Sequence, residues 1–433
     1  MKNYMEAPTD VLLKELETLR TQYVRYKADI VRLDMTRGKP SADQLELSEK
    51  MLGIIQKNED CFDENGLDCR NYGNLDGIPE AKKLFADVLG VLPQQLILGG
   101  NSSLNMMFDT VGRAFCFGNL DSVRPWSQEE KIKFLCPSPG YDRHFAICQQ
   151  FNIKMIPVPM LEDGPDMDMI ESLVAEDSSI RGIWCVPKYS NPTGTVYSDE
   201  VVRRFARLKP KAQDFRIYWD NAYAVHDLYD THPEILNILD ECEKAGNPDM
   251  VYMFSSTSKI TYPGSGVAML AASVANIEHM KKQMSVQTIG PDKLNQLRHV
   301  RMFKNKEGLL AQMKKHAEIL RPKFETVLRI LERDLAGKEI ASWSKPQGGY
   351  FISFNAMPGC AKRIYHLCDE AGVSLTMVGA TYPYGNDRED SNIRLAPSCP
   401  PVSELEMAMN RFTVCVQIAS LEKILADRNI AGC

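Results

Sequence analysis

The sequence has no long hydrophobic run, and no stretch approaches the roughly 18 apolar residues that a membrane-spanning helix needs. The N-terminal segment MKNYMEAPTDVLLKELETLR carries charges where a signal peptide has an apolar centre. Blocks of lysine and arginine are also lacking, and the formal net charge of -6 offers no basic surface for a nucleic acid. We therefore expect a cytoplasmic protein that binds a small molecule, and neither a membrane nor a nucleic acid.

Paired cysteines are a second absence. The 12 cysteines are scattered along 433 residues, without a CxxC pair and without a Cys/His cluster of zinc spacing. This pattern argues against a disulfide scaffold, favours reduced thiols and predicts no metal site. A content of 44% hydrophobic and 25% charged residues is typical of a folded globular protein, here with room for one large and one smaller domain.

Helices and apolar runs alternate through most of the chain. Residues 8–30 predict an amphipathic helix with Thr9 as its N-cap. Its apolar stripe is formed by Leu12, Leu16, Leu19 and Tyr23. Further along, helical segments are interleaved with the short runs QLILG, IKFLC, RGIWCV, FRIYWD and MVYMF. Continuous apolar runs between helices predict parallel strands that are covered on both faces.

The C-terminal third has a different pattern. A long basic helical stretch precedes EIASWSKPQGGYFISF, VSLTMV and SNIRLAP, which predict the strands of a separate α+β unit. The closing helix has Ser403 and Glu406 as a predicted capping box. Its apolar stripe is formed by Leu405, Met409, Phe412 and Val416.

Polar residues follow the predicted strands, and in open α/β sheets ligands gather at the carboxyl ends of the strands. LILGG runs into Asn101 and Ser102, whose helical turn offers N–H groups to a phosphate, although an ordinary capped helix gives the same pattern. The other strand ends are followed by Tyr141, by Asn191, by Asp220 with Tyr223, and by the stretch SSTSK with Lys259.

Each of these residues alone has a simple explanation, such as a turn, a helix cap or a solvated lysine. Together they provide an acid for a ring nitrogen, donors for a phenolate oxygen and a stacking ring. They also provide a phosphate seat and a lysine able to form a Schiff base. These are the requirements of pyridoxal 5'-phosphate (PLP), so the set predicts a PLP site.

Eight stretches occur in the order of a known family and at plausible separations. They are NYGNLDGIPE, GGNSS, PSPGY, SNPTG, YWDNAY, SSTSK, KPQGGYF and NIRLAPS. On these motifs the sequence resembles, over nearly its whole length, the fold type I PLP enzymes of the aspartate aminotransferase superfamily. The stretches RGKPS and TIGPDKLNQLRH make it most similar to a divergent branch sometimes labelled type Ic.

The resemblance implies an α/β fold with a large domain, whose mostly parallel seven-stranded sheet is sandwiched by helices, and a smaller α+β domain. We expect an N-terminal helix and a segment of the small domain at 1–48, the large PLP-binding domain at 49–300, and the C-terminal small domain at 301–433. The family also implies a homodimer with shared active sites, in which Tyr72 and residues 288–299 complete the neighbouring site.

The resemblance also implies a role for each site residue. Lys259 would hold the cofactor as a Schiff base and move the substrate's Cα proton. Asp220 would pair with the pyridinium nitrogen, while Tyr223 and Asn191 would bond the ring oxygen. The other assignments are Tyr141 on the ring, Asn101, Ser102 and Ser256 at the phosphate, Tyr72 at the phosphate in the partner subunit, and Arg394, Asn191 and Gly38 at the substrate.

One position departs from the family pattern. Family members usually carry an arginine eight residues after the lysine, paired with the cofactor phosphate, and this sequence has Val267 there. Neither Ser265 nor Gly266 supplies the missing charge. A non-catalytic relative would also show such a loss, but every other element of the site is present.

The resemblance to the type Ic branch favours transamination between L-aspartate and 2-oxoglutarate with ping-pong kinetics. Arg394 would bind one carboxylate as a bidentate pair. The second carboxylate needs another cation, for which the candidates are Arg37, Lys39, Arg143 and Lys293.

Other functions stay open at this point. The donors could be aromatic or other amino acids, or the reaction could be that of a PLP lyase, because these enzymes share the cofactor site. A non-catalytic aminotransferase-like sensor of a transcription regulator is a further alternative. The short N-terminal segment without a basic stripe argues against that last reading.

Overall fold

A computed structural model describes residues 3–428 of the chain. The α-helices are α1 (Thr9–Ala28), α2 (Ala42–Glu46), α3 (Pro79–Leu89), α4 (Ser103–Cys116), α5 (Asp142–Gln150), α6 (Met167–Glu176), α7 (Asp199–Ala206), α8 (Ile238–Lys244), α9 (Val274–Met284), α10 (Lys293–Phe303), α11 (Lys306–Leu335), α12 (Ala361–Glu370) and α13 (Val402–Asp427). The strands are β1 (Leu33–Asp34), β2 (Leu96–Leu98), β3 (Lys133–Ser138), β4 (Lys154–Leu161), β5 (Gly164–Pro165), β6 (Ile180–Cys185), β7 (Arg216–Asp220), β8 (Val251–Ser256), β9 (Ala268–Ala271), β10 (Ala341–Trp343), β11 (Ile352–Ala356), β12 (Val373–Ser374) and β13 (Asn392–Leu395).

The central sheet is mostly parallel, and its strand order is β2-β9-β8-β7-β6-β3-β4-β5. β9 is antiparallel to both of its neighbours, and β5 is antiparallel to β4. The expected α/β fold with helices around a mostly parallel sheet is confirmed. The predicted number of seven strands is one too low in the described residues, because a tight turn returns the two-residue β5 alongside β4. Its glycine and proline are poor strand formers and gave no strand signal.

Burial on both faces explains why the inner strands are continuous apolar runs. All five residues of β7 and all six of β8 are buried, as parallel strands between two helical layers require. β4 was missed from sequence because its run KMIPVPML alternates and contains two prolines. Prolines are tolerated in this strand since it lies near the sheet edge, next to the short β5.

The two terminal helices pack against each other in the second unit of the fold, and the predicted apolar stripes of both helices are buried. The predicted caps are wrong in both cases. α1 has Pro8 rather than Thr9 at its N-cap position, and Thr9 is its first helical residue. α13 begins directly after Pro401, which places Ser403 inside the first turn. Glu406 instead accepts a hydrogen bond from Arg329 of α11 at 2.7 Å.

The smaller unit combines residues from both ends of the chain. Its sheet is antiparallel with the order β10-β11-β13, and β1 pairs in parallel with β12. The N-terminal segment thus joins the C-terminal part through β1, while the boundaries at 48/49 and 300/301 stay a prediction. Within residues 3–428, no helix combines the length and the apolar character needed to cross a membrane.

Candidate active site

The ends of four parallel strands bring the predicted residues to one edge of the large sheet. β8, β7, β6 and β3 are consecutive neighbours, so their carboxyl ends lie side by side. Tyr141 follows β3, Asn191 follows β6, Asp220 ends β7, and Lys259 follows β8. These residues come from separate parts of the sequence, and the sheet order alone accounts for their meeting.

Asp220 is a buried carboxylate, 3% exposed, at the end of β7. Its Oδ2 atom lies 3.0 Å from Nε2 of His144. Its Oδ1 atom is buried as well, and no donor in the described part of the chain bonds to it. Leaving a buried carboxylate oxygen without a donor is costly, so this atom is a ready acceptor for an N–H group of a ligand.

His144, which the sequence analysis missed, holds Asp220 from α5. Its ring stacks on Trp184 of β6 with 4.4 Å between centroids and an angle of 10° between the planes. Tyr141 lies edge-on to the same ring at 5.0 Å. The signal was present in the stretch PSPGYDRH, because two residues three positions apart at a helix start lie on the same side.

Lys259 is placed over two aromatic rings. Its Nζ atom lies 5.2 Å from the ring centroid of Tyr223 and 5.8 Å from that of Tyr350. Burial lowers the pKa of Lys259, and the nearby Asp220 carboxylate opposes that shift. A lowered pKa increases the share of neutral amine, which is the form that attacks a carbonyl carbon or accepts a proton.

Tyr223 keeps its proton. Burial raises the pKa of its phenol well above the ordinary value, and the nearby Tyr141, Asp220 and Tyr350 add to the effect while Arg394 opposes it. A phenol that stays neutral can donate a hydrogen bond to an anionic oxygen of a ligand.

Arg394 of β13 reaches the same site from the smaller unit, and it is 8% exposed. Its Nη1 atom donates to Oδ1 of Asp142 at 2.9 Å and to Oδ1 of Asn191 at 3.2 Å. Its Nη2 atom makes only a 3.4 Å bond to Thr376, and its buried Nε has no partner in the described residues. Nε and Nη2 point to the same side of a guanidinium, so they form a fork that suits a carboxylate.

Gly38 packs against the ring of Phe351, and the Arg394 guanidinium lies over the same ring. Arg394 lies over Phe351, with 4.9 Å between its guanidinium carbon and the ring centroid. A Cβ atom on Gly38 would lie 2.4 Å from Cζ of Phe351, so only glycine allows this approach. The segment with Arg37, Gly38 and Lys39 therefore borders the position of Arg394.

The predicted phosphate residues lie where α4 begins and where β8 ends. Ser102 is the N-cap residue of α4, and its side chain makes no capping hydrogen bond. Ser256 Oγ donates to Ser258 Oγ at 3.0 Å, and Ser258 Oγ donates to the Asn101 carbonyl at 3.2 Å. The hydroxyls and N–H groups near this helix start are suited to bind an anion. Ser258 belongs to this group, although it was not among the residues predicted from sequence.

Val267 occupies the position of the usual arginine and lies in the core, 1% exposed. Its backbone N–H donates to Thr257 Oγ1 at 2.9 Å. Tyr72 has a different environment, since 75% of its surface is exposed in the single chain. The contacts of Tyr72 within the chain therefore do not explain a role at the site.

A polar network that the sequence analysis did not find lies behind Lys259. Nε2 of Gln44 donates to the Tyr350 hydroxyl at 2.9 Å and to Nδ1 of His316 at 3.0 Å. Since Nδ1 of His316 accepts, its Nε2 carries the hydrogen and donates to the Ile260 carbonyl at 3.0 Å. The network thus ties the residue after Lys259 to α2 and α11.

Comparisons with known proteins show the family to which the chain belongs. The profile of the family described as aspartate amino-transferase matches residues 8–428. The chain is 47% identical to an aspartate aminotransferase of Corynebacterium glutamicum, over 94% of each protein. A solved aspartate transaminase structure from C. glutamicum superposes with a TM-score of 0.94 at 45% identity and covers 97% of this chain and 99% of that one. The chain belongs to the aspartate amino-transferase family.

A more distant structure has the same fold. The α-aminoadipate aminotransferase LysN of Thermus thermophilus, solved with N-(5'-phosphopyridoxyl)-L-leucine, is 19% identical with a TM-score of 0.73. The match covers 98% of this chain and 96% of that one.

No group of three or more His, Cys, Asp or Glu side chains suited to a metal ion lies within residues 3–428.

Replacing Asp220 by asparagine should reduce aminotransferase turnover far more than stability. The amide keeps the size of the side chain but removes its charge, and the loss of one such electrostatic group at an active site typically costs about 10²–10³-fold in kcat. The melting temperature should change little, because the amide oxygen can still accept from His144 and Oδ1 has no partner in the described chain. Steady-state kinetics and thermal unfolding measure the two effects.

Asp214 provides a matched control, since it is buried to 1% exposure but accepts bonds from Ser122, Trp126 and Arg181 away from the site. Asp214→Asn should lower the melting temperature and leave the turnover of the folded protein unchanged. Equal losses of stability and turnover in Asp220→Asn would indicate a structural role instead.

Acid should weaken the fold through His316. Burial lowers its pKa from 6.5 to about 4, so the folded chain binds fewer protons than the unfolded chain between these values. The free energy of unfolding therefore falls as the pH drops from 6.5 to 4. His316→Gln lacks this titration, so the gap in unfolding free energy between wild type and variant should shrink from pH 7 to pH 4.5. Urea unfolding at both pH values measures the gap, and a gap that does not depend on pH would contradict the assignment.

Proposed function

We propose that the chain is a PLP-dependent aminotransferase that transfers the amino group of L-aspartate to 2-oxoglutarate, in two half-reactions with ping-pong kinetics. The observation that carries the cofactor assignment is Oδ1 of Asp220. This buried oxygen has no donor within residues 3–428, and a protonated ring nitrogen would supply one. The family membership supports the transaminase reaction.

The residues present fit PLP, and each has a place for it. Lys259 would bind it covalently, and Asp220 would hold its ring nitrogen protonated. Tyr223 and Asn191 would bond its ring oxygen, and Tyr141 would lie against its ring. Asn101, Ser102 and Ser256 would take its phosphate. When bound, PLP supplies the electron sink that makes removal of the Cα proton of an amino acid feasible.

The protein side of the chemistry follows from the pKa directions. Lys259, whose pKa is lowered by burial, would accept the proton from Cα of the substrate at Nζ and deliver it within the site. Tyr223, whose pKa is raised, would remain a hydrogen-bond donor throughout. Asp220, held by His144, would bond to the ring nitrogen. Arg394 would orient the substrate through the fork of Nε and Nη2.

Aspartate as donor requires a second cation, and the four candidates differ in their surroundings. Lys293 is 4% exposed, and its Nζ donates to the Gly73 carbonyl at 3.0 Å, so it is already engaged. Arg143 is exposed on α5. Arg37 and Lys39 are exposed on either side of Gly38. Gly38 packs against Phe351, the ring over which the Arg394 guanidinium lies. We therefore assign the second carboxylate to this pair.

The proposal includes a homodimer with shared active sites and a cytoplasmic location. Tyr72 is largely exposed in the single chain, as a residue that serves a neighbouring subunit would be. Eleven cysteines within residues 3–428 are free thiols, which suits a reducing compartment.

A donor screen with 2-oxoglutarate as acceptor tests the substrate assignment. Aspartate should have a far higher kcat/KM than alanine, leucine or phenylalanine, because a cation facing an apolar side chain would lack a partner. Arg37→Met or Lys39→Met should reduce the ratio of aspartate to alanine by about 10- to 100-fold, the usual effect of losing a hydrogen bond to a charged group.

Arg143→Met is the matched control and should leave the ratio unchanged. The assignment to the pair fails if neither of its variants alters the ratio. The aspartate assignment itself fails if aromatic or branched-chain amino acids react faster than aspartate, while the cofactor chemistry would stand.

Mixing two impaired variants tests the shared site. Tyr72→Ala and Lys259→Ala homodimers should both be impaired, whereas a heterodimer would contain one site with an intact Tyr72 and an intact Lys259. Activity should therefore rise after the two variants are unfolded together and refolded. The control mixture of Asp220→Asn with Lys259→Ala should stay inactive, since both residues belong to the same chain's site. A Tyr72 mixture that regains no activity would contradict the shared site.

A further inference from the structure

Helix α10 contacts the end of β8 and the loop that follows it, which together we call the lysine loop (residues 256–266). The side chain of Asn295, 4% exposed, donates from Nδ2 to the carbonyls of Ser265 at 3.0 Å and Gly266 at 2.9 Å. Its Oδ1 accepts from the Ser265 hydroxyl at 3.2 Å. One amide thus holds the end of the lysine loop at three points.

His299, fully buried on α10, holds the same loop near Lys259. Its Nδ1 lies 2.8 Å from the Asn295 carbonyl one turn earlier, so Nδ1 carries the hydrogen. Nε2 is then an acceptor, and the hydroxyls of Thr257 and Thr261 lie 3.0 Å and 2.9 Å from it. Thr257 in turn accepts from the Val267 N–H at 2.9 Å, so the network reaches the position of the missing arginine.

The same helix also holds the segment that follows Tyr72. Lys293 donates to the Gly73 carbonyl at 3.0 Å, and Oε1 of Gln296 accepts from the Ile78 N–H at 2.9 Å. These contacts place the motif TIGPDKLNQLRH against two segments of its own chain. Its sequence-based role at the neighbouring site accounts for none of them.

We propose that α10 takes over the task of the absent arginine. Asn295 and His299 act as positioning residues that hold the lysine loop in the conformation in which its hydroxyl and N–H groups bind the cofactor phosphate. This inference rests on the proposed function, because it assigns the phosphate of PLP to the loop.

A rigid loop is a physical alternative to a fixed guanidinium. Backbone N–H groups and hydroxyls at a helix start bind an anion well only when they converge, and a loose loop would lose that geometry. Gly266 illustrates how closely the loop packs, since a Cβ there would lie 2.9 Å from the Asn101 carbonyl. The α10 contacts therefore hold both the conformation of the lysine loop and its distance from Asn101.

Binding of PLP and of pyridoxal, which lacks the phosphate, to the cofactor-free protein separates this role from a general structural one. Asn295→Ala and His299→Phe should weaken PLP binding by about 10- to 100-fold, because each removes two or three hydrogen bonds. Pyridoxal affinity should fall much less than PLP affinity, since pyridoxal would use Lys259 but none of the phosphate-binding groups of the loop. His299→Gln, whose carbonyl can accept from the two threonines, should restore most of the PLP affinity. Spectrophotometric titration measures all of these affinities.

Asn276→Ala is the matched control. Asn276 is fully buried and also donates to a backbone carbonyl, that of Asp249 at 2.9 Å, but it lies on α9 away from the lysine loop. It should leave both affinities unchanged. Equal weakening of PLP and pyridoxal in the Asn295 and His299 variants, or unchanged PLP affinity, would overturn the inference. A wild type that binds neither ligand would contradict the proposed function itself.

Discussion

The hydrogen bond between Asp220 and His144 is the constraint on which the site depends. A charged carboxylate inside a protein is costly unless donors surround it, and Asp220 has a donor on only one of its two oxygens. The fold meets this cost in part by stacking His144 on Trp184, which leaves the ring little freedom to turn away. Oδ1 of Asp220 stays without a donor in the described residues, which costs stability but leaves this oxygen able to accept a hydrogen bond from a ligand.

The charges around this carboxylate have complementary tasks. The Asp220 carboxylate raises the pKa of Lys259, but the larger effect of burial lowers it. Arg394 bonds instead to Asp142 and Asn191. Asp142 thus pairs with Arg394, whereas Asp220 bonds to His144 and lies near Lys259.

The sequence predicted those parts of the molecule that depend on neighbours along the chain. Buried strands such as β7 and β8 were apparent as apolar runs, and the residues just after them followed from sheet geometry. β4 was missed because its prolines resemble a turn, and the caps at Thr9 and Ser403 were misplaced because a preceding proline set the helix start. Gln44, His316 and His299 could not be assigned, since nothing near them in the sequence indicates which strand end they face.

The α10 helix shows why such remote residues matter to the site. It bonds to the lysine loop through Asn295 and His299 and to the segment after Tyr72 through Lys293 and Gln296. Both segments are therefore bonded to one helix, so a shift of α10 would move the lysine loop together with the segment after Tyr72. A single arginine at position 267 would fix a phosphate by charge but would not link these two segments. The α10 contacts thus link the geometry of the lysine loop to that of the segment after Tyr72.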